Sequence, residues 1–222
     1  QEEIRASYQK KFAEQEIKAL RSQMNPHFLF NSLNSIRYYI LKDDNENAAD
    51  YITRFSRLLR LILQNSRSEQ INLKDELHAL RLYIEFEQMR FNRKFDYKLN
   101  LEPGINTESI HLQPLTIQPF VENAIWHGLM PLERDGDLRI DILRENSDLV
   151  ITVRDNGIGR EKSATMKRPN PTIIKSYGLD ITKERMKLHQ TLKGKRSSFS
   201  IKDHYDKDGK PAGTEVRIQI EI

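Results

Sequence analysis

The stretch QMNPHFLFNSLN, residues 23–34, interrupts sequence that otherwise has the apolar spacing of one long helix. Proline lacks a backbone N–H and disturbs the helix that precedes it. After Pro26 the apolar residues recur at steps of four, three and four: Leu29, Leu33, Ile36 and Ile40. At about 100° per residue, His27, Asn31 and Asn34 form a second stripe roughly opposite to the first. We therefore expect His27 to point away from the apolar core.

This histidine has two interpretations. A neutral imidazole presented on a helix surface can act as a nucleophile or a proton carrier. An exposed histidine without a chemical role is the more common case, and His27 by itself does not separate the two. The other histidines lack metal-ligand spacing, and four of them are interpreted as surface or hydrogen-bonded polar residues: His78, His111, His189 and His204.

Helical periodicity continues on both sides of the stretch. Upstream, a heptad-like row comprises Ala13, Ile17, Leu20 and Met24. Downstream, KDDNEN at 42–47 predicts a turn, and a second amphipathic helix then carries Ala48, Ile52, Phe55, Leu59 and Ile62 on one face. Two helices with a short link predict an antiparallel hairpin. Each apolar face is too wide for one hairpin to bury, so we expect a homodimer whose helices form a four-helix bundle.

The remainder of the chain predicts a mixture of helices and strands. Three helices are expected: one from about Lys74 to Arg93 with Asn72 as N-cap and Leu77, Leu80 and Ile84 buried, one ending near Gly128, and one from about Asp180 to Leu192. Period-two alternation predicts four strands, which carry Phe95/Tyr97/Leu99/Leu101, Leu138/Ile140/Ile142, Leu149/Ile151/Val153 and Val216/Ile218/Ile220/Ile222. The pattern favours an α+β sandwich, with one mixed or antiparallel sheet under a layer of helices.

The composition excludes several classes of protein. There is no cysteine among the 222 residues, which rules out disulfides, thiolate metal sites and a cysteine nucleophile. The net charge of +4 permits an anionic partner without requiring one, and we expect no direct binding of nucleic acid. No run approaches the roughly 20 apolar residues that span a bilayer. The chain starts at Gln1 with no signal peptide, so we expect it to be part of a larger protein.

Two stretches in the second half carry polar residues of chemical interest. In PFVENAIWHG, residues 119–128, Glu122 and Asn123 interrupt an apolar helix, and their oxygens suit Mg²⁺. A polar patch at a helix end is the alternative. In VRDNGIG, residues 153–159, a strand ends at Asp155, whose carboxylate can accept from an exocyclic amine such as that of adenine, before glycines that permit close backbone approach. Asp-Asn-Gly turns are also common in hairpins.

Two further stretches place glycines at the start of a predicted helix and a predicted strand. In YGLDITKER, residues 177–185, Gly178 precedes a helix whose free N–H groups would face an anion. In PAGTEVRI, residues 211–218, Gly213 and Thr214 begin the last strand. The irregular segment 159–178 includes the basic residues Lys162, Lys167, Arg168 and Lys175. It is interpreted either as a lid over a polyphosphate or as an ordinary solvated loop.

Taken together, these motifs resemble a known family. LRSQMNPHFLFNSLNSI looks like the phospho-acceptor box of the LytS-like sensor histidine kinases. ENAIWHG, DNGIG, GLDITKERM and GTEVRI, in that order, resemble the nucleotide-binding boxes of the GHKL-type ATP-binding domain. The resemblance covers roughly residues 15–222. It implies dimerisation and histidine phosphotransfer helices over 1–70, followed by a Bergerat-type (GHKL) α/β sandwich that binds ATP over 71–222.

The resemblance also implies roles for individual residues. His27 would accept the phosphoryl group, Glu122 would polarise the attacking group or orient water, and Asn31 would position water for dephosphorylation of the partner. Asn123 would ligand Mg²⁺. The remaining residues implied to bind ATP are His127, Asp155, Gly157, Gly159, Lys175, Gly178, Leu179, Arg185, Gly213 and Thr214.

Three positions depart from the family pattern. Trp126 stands where relatives usually carry a basic residue, and Ser176 and Asp180 replace a glycine and an asparagine. The implied function is ATP-dependent autophosphorylation on His27 and transfer to an aspartate of a response regulator, in the cytoplasmic part of a membrane-anchored bacterial sensor. One alternative is a catalytically weak or inactive ATP-binding dimerisation module. Another is a GHKL ATPase or protein-serine kinase in which His27 is structural.

Overall fold

The computed structural model describes residues 26–66, 68–91, 93–165 and 196–222. The chain divides into two compact units, Gln1–Glu69 and Gln70–Ile222. In the first unit, helix α1 (Pro26–Leu41) and helix α2 (Asn45–Ser66) are joined by residues 42–44, as the sequence predicted for a hairpin. Asp43 adopts a φ of 56° in this link, which reverses the chain after α1. The upstream row that contains Ile17 lies outside the described residues.

The hairpin buries a different face of α1 from the predicted one. Phe28 and Ser32 are buried, and the rings of Phe28 and Phe55 lie 5.9 Å apart. In contrast, Leu33 is 56% exposed and Ile40 is 52% exposed, so the predicted stripe does not form the core of the hairpin. Helix α1 has apolar residues on more than one side, and periodicity alone does not decide which side meets α2.

The second helix is closer to the prediction. Ala48, Phe55 and Ile62 are buried as expected, whereas Ile52 is 43% exposed. Tyr51 and Leu58, which are fully buried, complete the face that packs on α1. The buried row of α2 therefore contains Tyr51 and Leu58 where Ile52 and Leu59 were predicted, and it keeps the other three predicted residues.

The second unit begins with a short strand β1 (Ile71–Asn72) that leads directly into helix α3 (Leu73–Arg90). The predicted N-cap is confirmed, because Asn72 Oδ1 accepts the backbone N–H of Asp75 at 2.8 Å. The predicted apolar side is buried as well. The helix ends at Arg90 rather than Arg93, since Arg93 adopts a left-handed φ of 54° that a helix cannot accommodate.

A five-stranded mixed sheet forms the core of this unit, in the order β2-β4-β5-β7-β6. Its strands are β2 (Phe95–Leu101), β4 (Gly136–Glu145), β5 (Asp148–Asp155), β6 (Ser197–Tyr205) and β7 (Pro211–Glu221). Strands β2 and β4 are parallel and the other pairs are antiparallel. The predicted inward residues of β4 and β5 are buried, whereas Leu101 at the end of β2 is 36% exposed.

The remaining elements surround this sheet. Strand β3 (His111–Leu112) pairs with β1 in a small antiparallel ladder. Helix α4 (Gln118–Asn123) continues without interruption into a π-helix (Ala124–Leu129), close to the predicted end at Gly128. Helix α5 (Arg160–Thr165) follows β5. The α+β fold class with a helical hairpin and an α/β sandwich is confirmed. No helix among the described residues has both the length and the apolarity to cross a membrane.

Candidate functional site

Asp155, the last residue of β5, is buried with 5% of its surface exposed. Its Oδ1 accepts the backbone N–H of Gly157 at 2.8 Å. Burial raises the pKa of the Asp155 carboxyl to about 6, while the backbone N–H groups of Gly157 and Thr214 act in the opposite direction. A buried carboxyl with a raised pKa at the end of a strand is the kind of group that a functional site uses.

Two glycines let the turn after β5 pack against the end of the π-helix. A Cβ at Gly157 would collide with the backbone of Gly128, and a Cβ at Gly128 would lie 2.6 Å from Asp155 Oδ1. The Ile158 N–H also donates to the Gly128 carbonyl oxygen at 3.1 Å. Backbone packing therefore accounts for these glycines, and the contacts bring Asp155 against the segment that contains His127.

Strand β7 brings two more of the predicted residues to Asp155. Thr214 lies directly opposite Asp155, and Asp203 of β6 lies directly opposite Thr214. Opposed residues of neighbouring strands point to the same face, so these three side chains form a row across the sheet. Gly213 has a φ of 126°, and a Cβ there would collide with the Asp155 carbonyl oxygen, so a glycine is needed at this close approach.

The turn is also held from the side of β4. Asn156 donates its backbone N–H to the Asp137 carbonyl oxygen at 3.2 Å, and its Oδ1 accepts the Asp137 N–H at 2.8 Å. Asn156 Nδ2 donates to Asp137 Oδ2 at 3.0 Å. Arg134 donates to the Asn156 carbonyl oxygen at 2.9 Å. These bonds fix the backbone directly after Asp155.

Glu122 and Asn123 lie at the end of α4, and both are half-buried. Gln118 Nε2 donates to Glu122 Oε1 at 2.9 Å, one helical turn away. Asn123 Nδ2 donates to the Pro119 carbonyl oxygen at 2.6 Å. Nδ2 makes this bond, and Oδ1 is the atom of the Asn123 amide that a hard cation would prefer.

Beyond the turn, an ion pair ties α5 to the edge of the sheet. Arg160 Nε and Nη2 donate to the two carboxylate oxygens of Asp203 at 2.8 and 2.6 Å. The guanidinium lowers the pKa of Asp203, and the carboxylate raises that of Arg160. Gly159, with a φ of 76°, packs close to Pro211 of β7. Lys162 is exposed, and among Lys162, Lys167, Arg168 and Lys175 it is the residue that falls within the described part of the chain.

Several predicted residues lie outside the described residues. They are Lys175, Gly178, Leu179 and Arg185 of the implied ATP site, the departures Ser176 and Asp180, the basic residues Lys167 and Arg168, and the helix expected from about Asp180 to Leu192. His127 lies in the π-helix and is half-buried.

The candidate phospho-acceptor belongs to the first unit. His27 is the second residue of α1, and its side chain is outside the described atoms. Its neighbour Phe28 is buried, and the Phe28 carbonyl oxygen accepts Ser32 Oγ at 2.7 Å. Asn31 is half-buried, and its carbonyl oxygen accepts Ser35 Oγ at 3.1 Å. The backbone at His27 is thus anchored by the residue that follows it.

A cluster on α3 and the π-helix was missed by the sequence analysis. Glu87 is fully buried, and Arg90 Nη1 lies 3.7 Å from Glu87 Oε2. The Arg90 guanidinium lies over the Trp126 ring at 4.5 Å, and Phe91 meets Trp126 edge-on at 5.2 Å. Burial raises the pKa of Glu87 to about 8, and Glu122 also raises it. The signal was present, because Glu87 lies seven residues after Leu80 and three after Ile84, on the buried side of α3.

A second buried carboxylate, Glu76, supports the loop before α4. Its Oε2 accepts the Leu115 N–H and its Oε1 accepts the Ile117 N–H, each at 2.9 Å. Leu115 has a φ of 59°, so the loop turns sharply at this point. Glu76 is therefore buried because it accepts these two backbone N–H groups. Its position in the first turn of α3 does not by itself predict that burial.

The chemistry of the donor set bears on metal binding. Within the described ranges, no cluster of three or more His, Cys, Asp or Glu side chains could hold a metal ion on its own. Mg²⁺ is commonly bound by one or two protein oxygens together with substrate phosphates. One amide oxygen at Asn123, beside a carboxylate at Glu122, fits that second type of site.

Comparison with known proteins identifies sequence relatives. Residues 15–95 match the family described as Histidine kinase. The sensor protein LytS of Staphylococcus haemolyticus is 35% identical over 144 residues, which is 65% of this chain and 24% of that protein. The sensor histidine kinase YpdA of Escherichia coli is 38% identical over 65% of this chain and 25% of its own length. The sensor histidine kinase/phosphatase LytS of Staphylococcus aureus is 34% identical over 66% of this chain and 25% of its own length. The predicted resemblance is confirmed, and the chain spans about a quarter of these relatives.

Solved structures show a looser likeness. The histidine kinase domain from the Erythrobacter litoralis EL346 blue-light activated histidine kinase has a TM-score of 0.47 and 14% identity, covering 95% of each chain. The catalytic domain of histidine kinase ThkA has a TM-score of 0.46 and 14% identity, covering 68% of this chain and 93% of its own.

Proposed function

Because the chain is related in sequence to the LytS-like sensor histidine kinases, we propose that it is the kinase core of a two-component sensor. It transfers the γ-phosphoryl group of ATP to His27, and the phosphoryl group then passes to an aspartate of a response-regulator receiver domain. The observation that carries the proposal is the convergence on Asp155 of three motifs that are far apart in sequence. The turn at Gly157, the π-helix end at Gly128 and Thr214 of β7 all meet this one buried carboxyl.

The buried carboxyl of Asp155 suits the adenine of ATP. A carboxylate shielded from water accepts an exocyclic amine more strongly than an exposed one does. The backbone N–H of Gly157 holds Oδ1, so the group is oriented before the nucleotide arrives. Thr214 lies on the same face of the neighbouring strand and is proposed to contact the base from the side.

The phosphates extend from the base towards residues that follow Gly159. Lys175, Gly178, Leu179 and Arg185 are proposed for this part of the site from the family resemblance. Asn123, through its amide oxygen, would hold Mg²⁺ together with the phosphates, and the ion would neutralise charge on the transferring group. His127 follows on the same helix and is proposed to contact the nucleotide.

The transfer needs little covalent assistance from the protein. One ring nitrogen of neutral His27 attacks the γ-phosphorus, a P–N bond forms, and the bond from that phosphorus to the β–γ bridging oxygen breaks as ADP leaves. Glu122 is proposed, from the family resemblance, to polarise the attacking group or to orient water. Asn31, one turn beyond His27, is proposed to position the water that later removes the phosphoryl group from the partner.

The exposed apolar side chains of α1 support a homodimer. Leu33 and Ile40 are more than half exposed in the single chain, although both belong to the predicted apolar stripe. A second copy that packs on this stripe would complete a four-helix bundle. We further propose that the chain is the cytoplasmic portion of a membrane-anchored bacterial sensor, that an upstream sensor region governs it, and that it binds no nucleic acid directly.

Incubation with Mg²⁺ and γ-labelled ATP tests the proposal. The wild-type chain is expected to take label that is acid-labile and base-stable, and His27→Ala is expected to take none. His78→Ala is the matched control, because His78 is an exposed histidine on α3. Equal labelling of the wild type and His27→Ala would overturn His27 as acceptor. ATP binding without any label would support the catalytically inactive interaction module, and acid-stable phosphate on a partner would support a protein-serine kinase.

A further inference from the structure

Two facing helical segments carry polar residues at matching intervals. On α3, Tyr83, Glu87 and Arg90 are spaced by four and three residues and share the side that is buried. On α4 and the π-helix, Gln118, Glu122 and Trp126 are spaced by four, so they also share one side. Residues at these spacings lie in a row along one side of a helix. The two rows meet where Arg90 and Phe91 contact Trp126.

The first set of contacts is made by Arg90. Its guanidinium lies 4.5 Å from the centre of the Trp126 ring and 4.8 Å from that of Phe91, while the two rings are 5.2 Å apart. Since the two rings meet edge-on, the guanidinium lies in the angle between them and contacts both, and its planar shape suits such a site better than a flexible ammonium group does. Only 12% of the Arg90 side chain is exposed, so this contact is shielded from solvent.

The second set is made by Glu87, whose side chain is fully buried. The separation of 3.7 Å from Arg90 Nη1 is longer than a hydrogen bond, so burial outweighs the attraction of the guanidinium. Burial first, and then Glu122, raises the pKa of Glu87 to about 8, whereas Arg90 and the Tyr83 hydroxyl lower it. The Glu87 carboxyl therefore holds its proton to a higher pH than an exposed glutamate does.

We propose that Glu87 and Arg90 are positioning residues that hold the helical turn bearing Glu122 and Trp126 in the geometry required for phosphoryl transfer. Arg90 fixes the turn through Trp126, and the buried Glu87 carboxyl, 3.7 Å from Arg90 Nη1, holds the guanidinium in place. The inference rests on the proposed function, in which Glu122 polarises the attacking group or orients water. Neither residue touches the reacting atoms, and both act through the neighbouring helix.

The first measurement uses Trp126, which is the single tryptophan of the chain. Its emission reports on the Arg90 stack, so the wild type is expected to show a pH transition with a midpoint near 8, as Glu87 ionises. Glu87→Gln keeps the shape of the side chain and cannot ionise, so the transition is expected to vanish. Glu85→Gln is the matched control, because Glu85 lies on the same helix and is exposed.

The second measurement is autophosphorylation, with rates expressed per folded molecule from the thermal unfolding of each variant. Arg90→Met is expected to lower kcat by roughly tenfold or more and to raise KM for ATP by a smaller factor, because the turn that bears Glu122 is misplaced while Asp155 keeps its contacts in the sheet. Arg90→Lys keeps the charge but not the planar guanidinium, so its kcat is expected to lie between those of the wild type and Arg90→Met. Arg81→Lys, an exposed change on the same helix, is expected to have the kcat of the wild type. The kcat of Glu87→Gln is expected to lose the inflection near pH 8.

The outcomes distinguish failure of the proposed function from failure of this inference. A wild-type chain that takes no label overturns the proposed function and this inference with it. A labelled wild type with an unchanged kcat in Arg90→Met overturns this inference alone. Identical pH profiles of the wild type and Glu87→Gln, in both emission and kcat, overturn it as well.

Discussion

The helical unit leaves large apolar side chains exposed, whereas the α/β unit buries carboxyl groups. In α1, Phe30 and Leu41 are 68% and 72% exposed. In the second unit, Glu76, Glu87 and Asp155 are each at most 5% exposed. Exposed apolar surface of this extent needs another surface to cover it, and buried carboxyls need partners or a ligand. The first unit thus leaves apolar surface for a partner to cover, and the second contains buried carboxyl groups that need protein partners or a ligand.

The largest effect is expected at the buried carboxyl of the proposed adenine pocket. Asp155→Asn replaces an acceptor by a group that can present a donor to the adenine amine, and we expect the Kd for ATP to rise by roughly 100-fold. Equilibrium binding of a fluorescent ATP analogue measures the change. Asp148→Asn, at the other end of β5, is the control and is expected to bind like the wild type. An unchanged Kd in Asp155→Asn would remove Asp155 from the binding site.

The same substitution sharpens the comparison through the pH dependence of stability. The folded-state pKa of Asp155 is raised to about 6 from 3.8, so protonation of its carboxyl favours the folded state. This contribution to the free energy of unfolding is fully present below pH 3.8 and is lost as the pH rises through 6. Relative to the wild type, Asp155→Asn is therefore expected to gain about 1–3 kcal/mol between pH 4 and pH 7. Urea unfolding at both pH values measures this, and an equal difference at the two would contradict it.

Glu76 is a buried carboxylate of the opposite kind, because its partners are all protein groups. Glu76→Gln keeps one acceptor for the two N–H groups of Leu115 and Ile117, so the other faces an amide donor. We expect a loss of about 2 kcal/mol in the free energy of unfolding. Chemical denaturation measures it, with the exposed Glu69→Gln as the control. A loss smaller than that of the control would mean that the loop carries these bonds without Glu76.

The exposed row of the hairpin is tested by placing a charge in it. Leu33→Glu is expected to weaken the proposed homodimer by roughly tenfold or more, since an unpaired carboxylate would be buried in the bundle. The packing of α1 on α2 within one chain should change little, because Leu33 is already 56% exposed there. Sedimentation equilibrium measures the dimer, and Gln64→Glu on the exposed side of α2 is the control. A dimer of unchanged strength would place the interface elsewhere.

The smallest effect is expected at the start of α3. Asn72→Ala removes the acceptor for the Asp75 N–H, and we expect a loss of about 1 kcal/mol in the stability of the second unit. Thermal unfolding measures it. Asn72→Asp, which keeps an acceptor, is expected to restore most of the loss, and equal destabilisation by both variants would show that the side-chain bond is not responsible.

The sequence predicted elements well wherever apolar residues followed a clear period. Strands β4 and β5 and the buried side of α3 lie where alternation and helical spacing placed them. Strand β6 was missed because its residues, SSFSIKDHY, are mostly polar and only half-buried at an edge of the sheet. The choice between two apolar faces of α1 failed for another reason, since it depends on which partner helix is present and not on the period.

The site was predicted in part for similar reasons. Asp155, Gly157, Gly213 and Thr214 belong to recognisable motifs, and the strand register brings them together. The Glu87 cluster has no motif, because its residues are separated along α3 and become related only when the π-helix packs against them. The wider turn of the π-helix also has no signature in the composition of AIWHGL. Tertiary contacts decide both features.

The order of the strands has a consequence for how the chain acquires its pocket. Strand β7, the last of the described strands in sequence, lies inside the sheet between β5 and β6. The β4–β5 hairpin closes over two residues and can form early, whereas the Asp155–Thr214 pairing joins positions 59 apart and must wait for β7 to insert. A nascent chain therefore cannot assemble the proposed adenine pocket until residues 211–221 have been synthesised, and folding itself would delay the proposed nucleotide binding until the second unit is complete.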